Sequence, residues 1–173
     1  MAAGDIKKAF IASSDLTVTN LHSLASSAAY NAGWESATID HSSDLALDDR
    51  LTFRFATHAS NRQAGAIRIY LFQPLDDTPT WPDTMDGTES AETWTDEEER
   101  DSACILAKEI TVDNTASAIY DTIVPSVAAV FGGNMPQKYG IYISGNATTT
   151  TTAQFAASGS QVTVKSSYKT VAQ

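Results

Sequence analysis

The residues best equipped for chemistry crowd into one stretch, WPDTMDGTESAETWTDEEERD, from Trp81 to Asp101. With the residues just before it, this region offers Asp76, Asp77, Asp83, Asp86 and Glu89, and carboxylate oxygens of this kind suit Ca²⁺. The spacing of a known calcium loop is absent, so a solvated acidic loop competes with a metal site over 76–89. Trp81 and Trp94 present a second choice. Exposed indoles on a β-sandwich loop can stack on sugar rings, whereas buried ones would pin a long loop to the body. Glu97, Glu98 and Glu99 add a run of like charge suited to an electrostatic contact.

Catalytic patterns are missing. His22, His41 and His58 stand in no metal-binding or triad spacing, and there is no His-Glu-x-x-His, Gly-x-Ser-x-Gly, phosphate-binding loop or dinucleotide fingerprint. Asp40, His41 and Ser42 are adjacent, but neighbours in an extended chain point apart, so IDHSSD reads as a polar turn. Paired carboxylates for glycoside hydrolysis need rigid, adjacent positions, and these acids cluster in a loop. The expectation is a non-enzymatic protein without a resident cofactor, with Ca²⁺ at 76–89 as the one open alternative.

The charge pattern narrows the partners. Of 173 residues with a formal charge of -10, positions 76–101 hold 11 acids and one base, Arg100, while the remainder is balanced. Phosphate-backbone binding needs clustered Lys and Arg, which excludes a nucleic-acid partner. No segment is long or apolar enough for a bilayer, and Met1–Ser13 lacks a hydrophobic signal core, so no membrane partner is expected. The single Cys104 sits beside Ile105, Leu106 and Ala107, which predicts a buried, unreactive thiol and no internal disulfide.

The elements that position these residues show period-two alternation. Leu51, Phe53 and Phe55 share one face of LTFRFATH; Ile67, Ile69 and Leu71 oppose Arg68, Tyr70 and Phe72; Ile110 and Val112, Tyr139, Ile141 and Ile143, and Val162 and Val164 repeat the pattern. Turn clusters rich in Gly, Asn, Asp and Ser separate these runs. The result predicts an all-β, antiparallel, two-sheet β-sandwich, jelly-roll-like, with one long acidic loop over 74–103. Residues 1–14 read as a loose N-terminal arm, with Lys7, Lys8 and Phe10 as contact residues, ahead of one sandwich domain over 15–173. NLHSLASSAAYNAG fits an irregular stretch as well as a helix, and Pro125 stops any long helix in IYDTIVPSVAAVF. Thr148–Thr152 suits an exposed edge strand.

SDLTVTNLHSLASSAAYNAGWESATIDHSSDLALDDRLTFRF, followed by IRIYLFQPLDD, WPDTMDGTESAET and SVAAVFGGNMPQKYGIYISGN, resembles small structural proteins of tailed-bacteriophage virions, over roughly Ser14 to Tyr168. The resemblance implies a capsid decoration (cement) subunit: a β-sandwich, made in the host cytoplasm, that sits on the capsid surface and clamps neighbouring major capsid proteins. It implies many copies, with a dimer or trimer as an option, and carries no catalytic residue. A glycan-binding adhesin or tail-associated virion protein is the alternative.

Overall fold

The computed structural model describes residues 6–44, 46–60, 64–76, 78–147 and 154–171. Among the described residues eleven strands form two antiparallel sheets. The first contains β1 (Ile6–Phe10), β2 (Ser14–Asp15), β5 (Asp48–Ala56), β9 (Ile119–Val124) and β11 (Gln161–Val171). The second contains β3 (Ala32–Glu35), β4 (Ile39–Asp40), β6 (Gly65–Phe72), β7 (Ser90–Thr93), β8 (Cys104–Val112) and β10 (Lys138–Ala147). The two short helices are α1 (Glu97–Ala103) and α2 (Val127–Val130).

β1 and β2 pair with successive parts of β11, and β3 and β4 with successive parts of β10. Each couple is one interrupted strand, so the sheets reduce to β1/β2-β11-β5-β9 and β7-β3/β4-β10-β6-β8. Every connection changes sheet except that from β6 to β8, which are neighbours. With β7 set aside, this is the eight-strand, double Greek-key jelly roll. The expected two-sheet sandwich is present.

Alternation explains the core. Leu51, Phe53 and Phe55 of β5, with Val162 and Val164 of β11, face Ile67, Ile69 and Leu71 of β6 and Tyr139, Ile141 and Ile143 of β10, all buried in one cluster. Leu21 and Leu24 close one side from the turn-rich 20–31 segment, which is irregular and not helical. Pro125 separates β9 from the one-turn α2, capped by Ser126 Oγ accepting from the Ala129 amide at 3.0 Å. Among the described residues no helix is long and apolar enough to cross a membrane.

Two expectations need correction. Residues 6–10 do not hang as a loose arm: β1 pairs with β11 from Ile6↔Val171 to Phe10↔Ser167, because alternating side chains and free backbone groups extend the sheet. Residues 74–103 are not a plain loop either. They contain β7, which pairs with β3, and α1, which leads directly into β8. The Thr148–Thr152 run and Asp77 lie outside the described residues.

Candidate interaction surfaces

The insertion between β6 and β8 crosses the outer face of the second sheet, and the residues beneath it explain why. Tyr70 and Phe72 of β6 and Tyr142 of β10 point away from the main core and would be exposed on a bare sheet. They instead join Met85, Trp94 and Cys104 in a second buried cluster, with Trp81 and Ala103 packed against it. Trp94 meets Tyr142 edge-on at 6.0 Å between centroids, and Trp81 meets Phe72 at 5.5 Å. The Phe72 ring lies over Gly140, where any Cβ would overlap it.

Polar groups fasten this cap. Glu35 of β3 is buried, and its carboxylate accepts from the Gly87 amide at 2.7 Å and the Asp86 amide at 3.2 Å. Burial pushes its carboxyl up to about 7 against the pull of those N–H groups. Thr38 donates its amide to the Gly87 carbonyl at 2.8 Å. Gly87 has φ 75°, and a Cβ there would overlap Thr38 Oγ1 and the Trp81 indole. Glu89 accepts from Trp34 Nε1 and the Asn20 amide, both at 2.7 Å. Arg100 is buried, donates to the Ala29 carbonyl and to Asn31 Oδ1, and lies 5.2 Å over the Tyr70 ring.

Apart from Glu89, the acids of the segment make local contacts or face solvent. Asp76 accepts from Thr80, Asp83 from Thr95 and Asp86 from Thr88; Asp96 caps α1 by accepting from the Glu99 amide at 2.8 Å. Among the described residues no three His, Cys, Asp or Glu side chains gather as a metal-binding group. Glu97, Glu98 and Glu99 are exposed on the first turn of α1, where the helix dipole favours negative charge. Trp94, expected as a contact residue, is only 1% exposed: the cluster under the insertion consumes its apolar surface, so it is an anchor and offers no sugar-stacking face. Trp81 is half-buried in the same role. Cys104 is buried and free, and burial pushes its thiol up to about 12, which leaves it unreactive.

Among the described residues the outer face of the first sheet has no such cover. Gln161 and Thr163 of β11 donate to Asp15, and Arg54 of β5 pairs with Asp121 of β9 at 2.9 Å. At one end of this face Phe10 stands 61% exposed, with Lys8 Nζ 5.5 Å and Lys165 Nζ 5.7 Å from its ring centre. Arg50, opposite Lys165 in the β11–β5 register, lines the same shallow hollow. Lys8 and Phe10 were singled out in the sequence, and β-pairing brings Arg50 and Lys165 to them. The side chain of Lys7 lies outside the described ones.

Sequence reasoning also missed a closed polar network at one end of the core. His41 is buried, donating Nδ1–H to Asp44 at 2.8 Å and Nε2–H to Asp49 at 2.7 Å, while Tyr139 donates to the same Asp49 oxygen at 2.6 Å. Burial disfavours the imidazolium, but the Asp49 and Asp44 carboxylates outweigh it and raise the His41 pKa. Burial likewise opposes Asp49 ionisation, and His41, Ser166 and Tyr139 overcome it, holding Asp49 low. The network ties the 41–49 connection to β10, with His41, Asp49 and Tyr139 buried and Asp44 at the surface, so the residues of IDHSSD do more than turn the chain. No spacing signal marks it, since Tyr139 is 90 residues from Asp49. The α1 start carried a local signal that the loop reading passed over: Asp96 with Glu99 three residues on is a capping signature.

No family model matches this chain, and no curated protein matches it.

Proposed function

We propose that the chain is a non-enzymatic virion structural protein of the head-decoration type, which binds the outer surface of a tailed-phage head and bridges major capsid proteins. The observation that carries this reading is where the polar chemistry goes. Glu35, Glu89, Arg100 and the His41–Asp49–Tyr139 group all bond inward and hold the body together. What faces outward is a row of carboxylates on one side and a small cationic-aromatic patch on the other. Such a molecule is equipped to grip other proteins through its faces and edges, and the sequence resemblance to virion proteins points the same way.

In this reading the capsid surface is the site of action, with synthesis in the host cytoplasm and many copies per particle. The adhesin alternative loses support from Trp94, whose indole is buried against Tyr142. The test is to incubate the purified chain with heads lacking it, then measure bound copies and the heads' resistance to heat. Binding at many symmetry-related positions with delayed rupture is expected. No binding to heads, or selective retention on glycans with a few copies at a tail, would overturn the reading.

A further inference from the structure

The two outer faces of the sandwich carry opposite charge. On the uncovered face, Lys8, Arg50 and Lys165 surround the exposed Phe10, and none of the ion pairs among the described residues uses these three cations. Asp48, two residues before Arg50, accepts at Oδ1 from the Ala128 amide at 3.0 Å. An exposed aromatic with Arg and Lys at its rim has the composition of an interface anchor. On the covered face, the insertion holds 11 acids, and its one base, Arg100, is buried. Leu106, on β8 three residues past the end of α1, is 47% exposed and lines a shallow hollow with Arg68, Tyr70, Asp101 and Cys104, where Arg68 is already paired with Glu109 at 2.6 Å.

We propose that the acidic insertion of one copy docks on the Lys8–Phe10–Arg50–Lys165 patch of a second copy, with Phe10 seated against the hollow lined by Leu106. The occupant follows from charge complementarity. Because the two surfaces lie on opposite faces of one molecule, the contact is head-to-tail, and it extends into rows or closes into rings according to the rotation between copies. The net charge of -10 does not forbid this. At 0.1 M salt the screening length is about 10 Å. Centres of two such molecules stand roughly 30 Å or more apart, so the pairs in direct contact decide. This contact does not depend on head binding.

The test is sedimentation of the full chain at about 50 mM and about 500 mM salt. Concentration-dependent association at low salt, weakened at least tenfold at high salt, is expected. Lys8→Glu with Lys165→Glu removes one half of the contact, and Glu97→Gln with Glu98→Gln and Glu99→Gln weakens the other, so each variant alone should associate at least tenfold less. Their mixture should form a one-to-one pair, because each keeps the half that the other lacks. Phe10→Ala, a mild surface change, supplies a third weakened variant should either charge variant fail to fold. A wild type that stays monomeric at low salt, variants that associate like wild type, or a mixture that remains monomeric would overturn the proposal. So would a monomeric wild type whose head binding is lost in the Lys8→Glu, Lys165→Glu variant, which would assign the patch to the capsid.

Discussion

The outer faces of the two sheets started from the same alternating pattern and ended differently. On the β1-β11-β5-β9 sheet the outward residues include Thr52, Arg54, Asp121, Gln161 and Thr163, which water or each other can satisfy, and the apolar Phe10, Ile119 and Ile123 stand singly among them, about half exposed or more. On the β7-β3-β10-β6-β8 sheet they are Tyr70, Phe72 and Tyr142, which water cannot, and the insertion covers them. A long acidic segment is ordered here because its few apolar residues meet an apolar floor, the buried Glu35 carboxylate accepts from its backbone, and its own Glu89 accepts from Trp34 and Asn20. Charge on a segment does not decide whether it folds; what lies beneath it does.

The strongest way to break that contrast is Trp94→Ala. Removing a fully buried indole should cost about 3–5 kcal/mol, read as a lowered urea midpoint. A loss below about 1 kcal/mol would mean that the cap contributes little. Arg100→Ala comes next, at about 3 kcal/mol, because it leaves the Ala29 carbonyl and Asn31 without their buried donor. Gly87→Ala should cost about 1–3 kcal/mol, from positive φ and overlap with Thr38 and Trp81. Phe10→Ala on the uncovered face should change stability by less than about 0.5 kcal/mol, since its ring is already in water.

A pH series sharpens the same comparison. Glu35 has a folded-state pKa near 7, raised above its ordinary 4.5. Its contribution to stability is therefore fully present below 4.5 and is lost as pH rises through about 7. His41 is also raised, so its contribution is present below its ordinary 6.5 and is lost above that, while the lowered Asp49 contributes above 3.8 and fades in acid. Unfolding of wild type and Glu35→Gln at pH 4.5 and 7.5 isolates the cap: the difference between the two proteins should change with pH. A constant difference would remove Glu35 from the account.

The sandwich itself was legible because Leu51, Phe53, Phe55, Ile67, Ile69 and Leu71 alternate with polar or aromatic partners, and alternation fixes the face. Tyr70 and Phe72 on the supposed outer face already signalled a cover, and that signal went unread. β1 was missed because its pairing partner β11 lies over 150 residues away, and register at that distance leaves no local trace. The same distance hid Lys165 from Phe10, and Arg50 reaches them only because β5 pairs with β11. The His41 network was hidden for a related reason: a buried imidazole between two carboxylates is made where the connection after β4 meets β5 and β10, and each residue alone looks like a turn or an edge.

Hydrogen exchange along the chain tests most directly whether the acidic segment belongs to the folded body. Segments covering Thr38, Gly87 and Trp94, whose amides or neighbours bond to the second sheet, should exchange as slowly as those covering Leu51–Phe55. Exchange of residues 81–95 at the rate of an unstructured peptide, beside a protected Leu51–Phe55, would contradict the account.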